Sequence, residues 1–343
     1  MSHKIPTPTF PTDRASIEAR IDAIDPIRYA KSRNYTDGAV TYLSPYISRG
    51  FLTIAHIHDR VLARGYKPYQ IEQFLKELAW REYFFRVWES IGTEKLMTDI
   101  RYDQEGVVSH AMPRAFLEKM TGIEAFDTGI RILEETGYMH NHLRMYIAGT
   151  VTNISHAHWR VPSKWFYSHL LDGDIASNTL SWQWNAGVFS SKKYIANQEN
   201  IDQYTGSVQK GTFLDRSYDD IWDTEVPALL REFALYDITT PLPESDRLSL
   251  DPESPLCIYT DYFLDPEWMS DIRANRVLVL SPSHFRDFPV TEKVTSFILS
   301  LARENIEGIE VYVGEISDLR DHFRALSEKE IFLIDHILYR DIV

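Results

Sequence analysis

The sequence predicts a mainly α-helical domain followed by a small α/β domain with a parallel sheet. Apolar residues recur at helical spacing through the first 190 residues, whereas short apolar runs alternate with helical stretches from residue 256 onward. The charge balance also differs between the two parts. Residues 1–213 contain 24 Lys+Arg and 23 Asp+Glu, whereas residues 214–343 contain 12 Lys+Arg and 27 Asp+Glu. We therefore expect a helical domain at 1–213, an acidic, proline-containing connector at 214–254 and the α/β domain at 255–343.

Four segments of the first part are predicted helices. The first is Ile71–Glu89, where Phe74, Leu78, Phe85 and Trp88 recur close to a 3.6-residue period. The same spacing continues in three further segments, which short turns marked by Gly or Pro join together: 121–136, 139–152 and 164–171.

Four short apolar runs in the last part are typical of buried strands: 256–259, 276–280, 309–313 and 331–334. Helical stretches at 292–304 and 318–326 lie between the later runs. Strands that alternate with helices form βαβ units with a parallel sheet. Four strands are few for this architecture, so we expect a minimal or incomplete domain.

Composition excludes several classes of protein. The 343 residues are 44% hydrophobic and 25% charged, as in globular chains and unlike disordered or fibrous ones. The single cysteine, Cys257, excludes a disulfide framework, a Cys-rich zinc site and a four-Cys iron–sulfur cluster. The sequence shows neither a signal peptide nor an apolar run long enough for a bilayer, so we expect a cytoplasmic protein without a membrane partner.

The net charge of −14 does not exclude a nucleic-acid partner. Affinity for phosphates comes largely from Lys and Arg, so an acidic chain is ordinarily a poor candidate. The excess of acid belongs to residues 214–343, however, and residues 1–213 are almost neutral. The overall charge therefore decides nothing for the helical part.

Several common signatures are absent from the sequence: GxxxxGK[ST], GxGxxG after a strand, and GxSxG. Three His-x-His pairs occur, at His56/His58, His140/His142 and His156/His158. Residues two apart on a helix point about 200° away from each other, so the last two pairs are poor chelates. We expect hydrogen-bonded or surface histidines and no metal site.

Two short motifs each admit two interpretations. The segment Val40–Tyr46 places hydroxyl residues and Pro45 before an amphipathic stretch, which indicates either an ordinary helix cap or a phosphate site at a helix start. On the predicted helix after it, Glu77, Trp80 and Arg81 share one face. They form either an exposed Glu77–Arg81 ion pair or a carboxylate, an aromatic ring and a cation that converge on a ligand.

A third motif spans residues 136–185 and ends in the run LLDGDIASNTLSWQW. Asp172 and Asp174 flank Gly173, which is consistent with a simple turn or with paired acids at a site. Asn141 and Arg144 are one turn apart, so an ion pair between Arg144 and Asp172 is geometrically plausible. No triad or activated nucleophile is present.

Together, four phrases in this order resemble the flavin-binding domain of the photolyase/cryptochrome family: LSPY, FLKELAWREYFF, TGYMHNHLRM and DGDIASNTLSWQWNAG. The resemblance covers about residues 25–190. It implies a helical domain that holds FAD in a bent form. The implied FAD contacts are Tyr29, the diphosphate segment with Thr41, Leu43 and Ser44, the arginine Arg144, the acids Asp172 and Asp174, and Asn178, which would face the flavin N5 as in photolyases.

The resemblance also implies a substrate side. Glu77, Trp80, Asn141 and Trp184 match positions that bind a flipped-out cyclobutane pyrimidine dimer, with Arg81, His142 and Met145 beside them. Glu77 and Asn141 would stabilise the dimer radical anion, and Asn178 would tune the flavin. Asn141 and Met145 stand where photolyases of (6-4) lesions have histidines, which points away from (6-4) repair. His142 replaces a common arginine near the phosphates.

Trp182 and Trp159 match the inner two members of the chain that photoreduces the flavin, with core packing as the alternative. The outer tryptophan has no counterpart in 101–116, where the aromatics are Tyr102 and Phe116. A different exit for the electron, such as a tyrosine, is one interpretation, and slower photoreduction is the other.

Our leading hypothesis is a light-dependent, deoxyribodipyrimidine photolyase-like lyase that cleaves the carbon–carbon bonds of cyclobutane dimers in damaged DNA, monomeric by default. The usual antenna domain is missing before Pro26, which makes an antenna chromophore doubtful. The segment 194–210 also departs from the family's DNA-backbone motif. A cryptochrome-like photoreceptor or FAD-binding protein without repair activity is the alternative, and a degenerate member with another ligand is a third interpretation.

Overall fold

In this computed structural model, residues 5–223 and 225–340 are described. They divide into two compact units that alternate along the chain. The first unit comprises Ile24–Thr41, Gly65–Asp237 and the described residues up to Thr9. The second comprises Phe10–Ala23, Tyr42–Arg64 and the described residues from Ile238 onward. These limits differ from 1–213, 214–254 and 255–343, because two early segments join the second unit and the connector is shared between the units.

The helices in chain order are α1 (Arg14–Asp22), α2 (Pro26–Ser32), α3 (Ser44–Ser48), α4 (Ile54–Leu62), α5 (Glu72–Leu96), α6 (Arg114–Leu117), α7 (Glu124–Thr136), α8 (Asn141–Asn153), α9 (Arg160–His169), α10 (Ile175–Asn185), α11 (Gln198–Thr205), α12 (Tyr218–Ile221), α13 (Pro282–Asp287), α14 (Glu292–Asn305) and α15 (Ile316–Leu326). The strands are β1 (Met112–Pro113), β2 (Phe233–Ala234), β3 (Leu256–Tyr259), β4 (Asn275–Leu280), β5 (Glu310–Val313) and β6 (Ile331–Leu333). The predicted fold class, a helical part followed by a small α/β part, is confirmed.

Helix α10 is the central element of the first unit and packs against α5, α8 and α9. Gln183 anchors it to the end of α5, since its Nε2 donates to the carbonyl oxygens of Leu96 at 2.8 Å and Thr98 at 3.1 Å. Helix α5 bends at Gly92, whose φ of 79° suits a residue without a side chain. The last turn of α10 is thereby held against the end of α5.

Four tryptophans of the first unit are core residues: Trp88, Trp159, Trp165 and Trp182 are each no more than 2% exposed. Trp80 and Trp184 are 52% and 37% exposed. Large aromatic side chains normally gain stability by burial, so two exposed tryptophans need another explanation.

The sheet of the second unit has the strand order β5-β4-β3-β6, and all of its pairings are parallel. Ile258 lies opposite Val277 on one side and Leu333 on the other. The predicted parallel sheet is confirmed, and the strand bounds agree with the apolar runs to within one residue. Helices α14 and α15 occupy the intervals in which helical stretches were predicted.

Arg49, which follows α3, is a buried member of the second unit. Its Nη1 lies 3.5 Å from Oδ2 of Asp261, and His284 Nε2 lies 3.4 Å from the same oxygen. Tyr339 donates its hydroxyl to Asp261 Oδ1 at 3.1 Å. Burial works to raise the pKa of Asp261, but His284, then Arg49 and Tyr339, hold it below its ordinary value.

Among the described residues, no helix combines the length and the apolar character that a membrane crossing needs.

Candidate functional site

The loop Asp172–Gly173–Asp174 between α9 and α10 forms the acidic side of the candidate site. Asp174 caps α10, because its Oδ1 accepts the backbone N–H of Ser177 at 2.7 Å. A Cβ on Gly173 would lie 3.0 Å from the carbonyl oxygen of Leu170. The backbone of this loop therefore passes too close to the end of α9 for a larger residue.

The Arg144–Asp172 ion pair predicted from the sequence is confirmed. Arg144 Nη2 donates to both carboxylate oxygens of Asp172 at 3.0 Å, and its Nε donates to the Met139 carbonyl oxygen at 2.7 Å. The guanidinium carbon lies 5.4 Å from the centre of the Tyr138 ring. The Asp172 side chain is only 5% exposed, whereas 21% of the arginine remains exposed and open to a ligand.

A second arginine faces the second acid. Arg81 Nη1 lies 3.9 Å from Asp174 Oδ2, with the two side chains 23% and 11% exposed. This contact joins α5 to the start of α10. The alternative of an exposed Glu77–Arg81 ion pair is wrong. Arg81 contacts Asp174 instead, and the Glu77 carboxylate accepts hydrogen bonds from Arg33 and Gln73.

Glu77 is held by two donors on its Oε1. Arg33 Nε donates to it at 3.2 Å and Gln73 Nε2 at 2.8 Å. The side chains of Arg33 and Glu77 are 26% and 34% exposed, so the carboxylate is positioned but still accessible. Sequence reasoning missed Arg33, which lies 44 residues from Glu77 and directly follows α2, a helix that was not predicted.

Tyr29 of α2 lies next to this carboxylate group. Its ring packs edge-on against Phe74 of α5 with the centroids 5.3 Å apart. Burial, and then the charge of Glu77, raise the pKa of Tyr29 far above its ordinary value. The phenol is therefore a neutral hydrogen-bonding group at physiological pH.

Asn178 lies one turn into α10, close to both acids. Its backbone N–H bonds to the Asp174 carbonyl oxygen at 2.9 Å, and its side-chain Nδ2 donates to the Ser163 carbonyl oxygen at 2.8 Å. The second bond fixes the direction of the amide. Arg144, Asp174 and Asn178 thus place a cation, a carboxylate and an oriented amide around one helix start, which fits a cofactor with both polar and negatively charged groups.

Thr41, Leu43 and Ser44 do not all lie in one unit. Thr41 ends a segment of the first unit, and Leu43 and Ser44 belong to the second. Helix α3 begins at Ser44 with Leu43 at its N-cap and without a side-chain cap, so the ordinary cap interpretation is wrong. Tyr42 between them has a φ of 54°, a strained conformation for a residue other than glycine.

Trp80 and Trp184 are the exposed aromatic residues of the site. Trp80 packs on Tyr83 and Phe84, with centroids 5.5 and 5.7 Å apart. Trp184 lies 5.7 Å from the ring of Tyr194. Trp80 adjoins Arg81 and so the start of α10, whereas Trp184 lies about 15 Å further along the α10 axis from Asp174. Both rings are too exposed to be core residues.

The start of α8 presents the other predicted substrate residues. Asn141 is exposed, and its Nδ2 lies 3.6 Å from Met145 Sδ one turn later. His142 lies between the rings of Tyr146 and Tyr204, at 5.6 and 5.3 Å. Burial, and then the charge of Arg33, lower the pKa of His142 to about 4. The imidazole is therefore neutral at pH 7 and supplies no positive charge.

Trp182 and Trp159 are buried, as the predicted electron carriers and the core-packing alternative both require. Trp182 packs edge-on against Phe166 at 5.2 Å. Trp159 donates its indole N–H to Asp99 Oδ1 at 2.7 Å. Sequence reasoning missed Asp99, which lies 60 residues away in a stretch without a motif. Tyr102 is 51% exposed.

Within residues 5–223 and 225–340, no cluster of three or more His, Cys, Asp or Glu side chains is arranged to hold a metal ion.

Comparisons with known proteins agree on one family. Residues 74–218 match the family described as the FAD binding domain of DNA photolyase. The chain is 34% identical over 154 residues to a deoxyribodipyrimidine photo-lyase of Alkalihalophilus pseudofirmus, covering 43% of this chain and 31% of the relative. It is 29% identical over 175 residues to a cryptochrome DASH of Gloeobacter violaceus, covering 47% and 33%. The chain thus spans about a third of the length of these relatives.

Two solved structures show similar partial coverage. A class III photolyase from Agrobacterium tumefaciens aligns at 25% identity with a TM-score of 0.48, covering 57% of this chain and 43% of the other. A Synechocystis cryptochrome aligns at 23% identity with a TM-score of 0.49, covering 59% and 44%.

Proposed function

We infer from residues 74–218, which form an FAD-binding domain of the DNA photolyase type as the sequence motifs predicted, that this chain is a light-dependent DNA repair flavoprotein. It splits cyclobutane pyrimidine dimers in DNA by electron transfer from photoexcited reduced FAD. The reaction breaks two carbon–carbon bonds of the dimer and returns the electron, so no net oxidation or reduction occurs.

One observation carries the proposal: the 3.9 Å contact between Arg81 and Asp174. It places the α5 face with Glu77 and Trp80 next to the α10 start with Asp174 and Asn178. Two of the residues proposed to bind the lesion, Glu77 and Trp80, therefore lie on the helix that contacts the proposed flavin site. Electron transfer between a cofactor and a substrate needs this proximity, and the protein supplies it by positioning both.

On the cofactor side, Arg144, Asp172, Asp174 and Asn178 hold FAD, with Tyr29 and Thr41 of the same unit as further proposed contacts; the contacts of Leu43 and Ser44 stay predictions from the sequence. FAD supplies the light-driven electron when bound. Arg144 places a fixed positive charge at the site, which favours a negatively charged reduced flavin. Asn178 offers a neutral amide whose direction is set by Ser163, and it carries no acidic proton.

On the substrate side, Trp80 and Trp184 stack on a flipped-out dimer, while Glu77 and Asn141 hydrogen-bond its edges, with Arg81, His142 and Met145 next to them. Flipping costs a few kcal/mol of stacking and pairing, and it costs least at a damaged site. Exposed rings and a carboxylate held by two donors offset that cost. Trp159 and Trp182 carry electrons to the flavin when it is oxidised.

The test compares Glu77→Gln with Glu82→Gln in the purified protein with reduced FAD, on a thymine-dimer oligonucleotide under blue light. Glu82 lies on the same helix and makes an exposed pair with Arg86 at 2.8 Å. We expect repair by the wild type and by the Glu82 variant, and at least a tenfold lower rate in the Glu77 variant. Absence of repair by the fully reduced wild type contradicts the proposal.

A second candidate, a cryptochrome-like photoreceptor without repair, is favoured by the neutral His142 and by the acidic charge of residues 214–343. Both features weaken phosphate contacts. Binding of damaged and undamaged duplex across a salt series distinguishes the candidates, because a repair enzyme needs a salt-dependent affinity and a preference for the lesion.

A further inference from the structure

A row of aromatic rings leads from Trp182 through the core of the first unit to a partly exposed tyrosine. Trp182 packs edge-on against Phe166 at 5.2 Å, and Phe166 stacks on Trp165 at 5.0 Å. Trp165 lies 5.9 Å from the ring of His169, which lies 6.2 Å from the ring of Tyr236. The first three rings of the row are no more than 2% exposed: Trp165, Phe166 and Trp182. Only the last two, His169 and Tyr236, are partly accessible to solvent.

The outer end of the row is a hydrogen-bonded group. The hydroxyl of Tyr236 lies 2.7 Å from Ser168 Oγ and 3.3 Å from His169 Nε2. Ser168 also contacts the Trp165 carbonyl oxygen at 2.7 Å, so its hydroxyl proton turns either to that carbonyl or to the phenol. When Ser168 donates to the phenol, the phenol proton is directed to His169.

The charges around this group keep His169 available as a base. Burial, the largest effect, lowers the pKa of His169, while Glu134 raises it and Lys119 lowers it. Glu134 and Lys119 pair with each other at 2.9 Å. Burial raises the pKa of Tyr236, which is therefore a neutral phenol at pH 7. A neutral imidazole within reach of a phenol is the arrangement that proton-coupled oxidation of tyrosine needs.

On the premise that the chain binds FAD as proposed above, we propose that Tyr236 is the terminal donor of a second electron path to the flavin, which branches from the Trp159 path at Trp182 and runs through Trp165. One electron moves from Trp182 to the photoexcited oxidised flavin. Trp165 then reduces the oxidised Trp182 by one electron, and Tyr236 reduces the oxidised Trp165 in the same way. The phenol proton passes to His169 Nε2 in the last step, which leaves a neutral tyrosyl radical, an imidazolium and a flavin with one additional electron.

The assignment names the residue that takes the role of the missing outer tryptophan, which the sequence alone did not identify. A tyrosine was one interpretation for the missing outer tryptophan, with Tyr102 the tyrosine of segment 101–116. Tyr236 lies outside that segment, two residues after β2, which pairs with Met112–Pro113. The ladder fixes the chain near Tyr236, and the tyrosine packs against the core that contains Trp165 and Trp182.

The test is flash photolysis of the protein with oxidised FAD, followed by transient absorption and by electron paramagnetic resonance of illuminated frozen samples. We expect a long-lived tyrosyl signal in the wild type, at least a tenfold loss in Tyr236→Phe, and an unchanged signal in the matched control Tyr102→Phe. Trp165→Phe removes the signal with Tyr236 intact, which keeps the test decisive if the Tyr236 variant folds poorly.

Two further variants test the proton path. His169→Phe keeps a ring but removes the base, so the tyrosyl yield falls at least tenfold, whereas Ser168→Ala keeps the yield. In the wild type, the yield falls as the pH drops below the pKa of His169, which lies under 6.5. A tyrosyl signal that survives in Tyr236→Phe, or that disappears in Tyr102→Phe, overturns the proposal.

Failure of the proposed repair function and failure of the proposed electron path give different results. A protein that holds no FAD, as its absorption spectrum shows before any flash, contradicts both proposals. A protein that repairs dimers with chemically reduced FAD but forms no tyrosyl radical contradicts the electron path alone.

Discussion

Asp172→Asn tests the buried ion pair on which the candidate site is built. The substitution keeps the shape of the side chain and removes its negative charge. Arg144 stays in place, because Met139 still accepts its Nε at 2.7 Å and the Tyr138 ring still lies under it. The variant therefore leaves a fixed cation facing a neutral amide.

The magnitude follows from the burial of the two partners. Removing one partner of a fully buried pair costs about 3–5 kcal/mol, and an exposed pair is worth about 0–1 kcal/mol. Asp172 is 5% exposed and Arg144 is 21% exposed, so water compensates in part. We expect the free energy of unfolding to fall by about 2 kcal/mol.

Urea unfolding of the flavin-free protein measures this loss, with Glu72→Gln as the control. Glu72 pairs with Lys76 at 2.7 Å on α5, and both side chains are more than 60% exposed. The loss of this exposed pair is expected to cost much less than the loss of the buried one. An Asp172 variant that is destabilised no more than the Glu72 variant refutes the claim that this pair organises the site.

The remaining predictions concern Gly173 in the loop before α10, the histidines His140 and His142, and Trp80, which is proposed to bind the lesion. Gly173→Ala should lower stability by about 1–3 kcal/mol in thermal unfolding, because its Cβ meets a backbone carbonyl; an unchanged Tm contradicts the clash. The pKa of His140 and of His142 lies at about 4 in the folded protein, below the unfolded value of about 6.5, so the unfolded chain binds more protons between these values. Stability should therefore fall as the pH drops from 6.5 to 4, and His142→Gln should flatten that slope. His142→Arg should steepen the salt dependence of DNA binding by about one phosphate contact, measured by fluorescence anisotropy. Trp80→Ala should weaken dark binding of a dimer oligonucleotide by about 1–3 kcal/mol, whereas Trp80→Phe should retain most of it.

Sequence reasoning predicted the features that depend on local residue patterns: helices, strands and the motifs of the flavin-binding domain. The helical spacing of Phe74 and Trp88 predicted α5, and the four apolar runs predicted the strands of the parallel sheet. Arg144 and Asp172 were paired correctly, and the resemblance to the family implied the same pair. The family motifs predicted the FAD-binding domain type, which the match over residues 74–218 confirmed.

Partners that are distant in sequence were missed. Arg33 reaches Glu77 from the residue that follows α2, across 44 residues, and Asp99 reaches Trp159 across 60 residues. The contact between Arg49 and Asp261, across 212 residues, was not predicted for the same reason. Contacts of this kind depend on the assembled tertiary structure, and no local spacing predicts them.

Light-driven repair is the central claim, and one measurement tests it directly. The purified chain, loaded with fully reduced FAD, is illuminated with blue light in the presence of a single-strand oligonucleotide that contains one thymine dimer, and restored thymines are counted by chromatography. The account predicts restoration of the thymines over many turnovers in the light and none in the dark. A flavin-bound protein that restores no thymines in the light contradicts it.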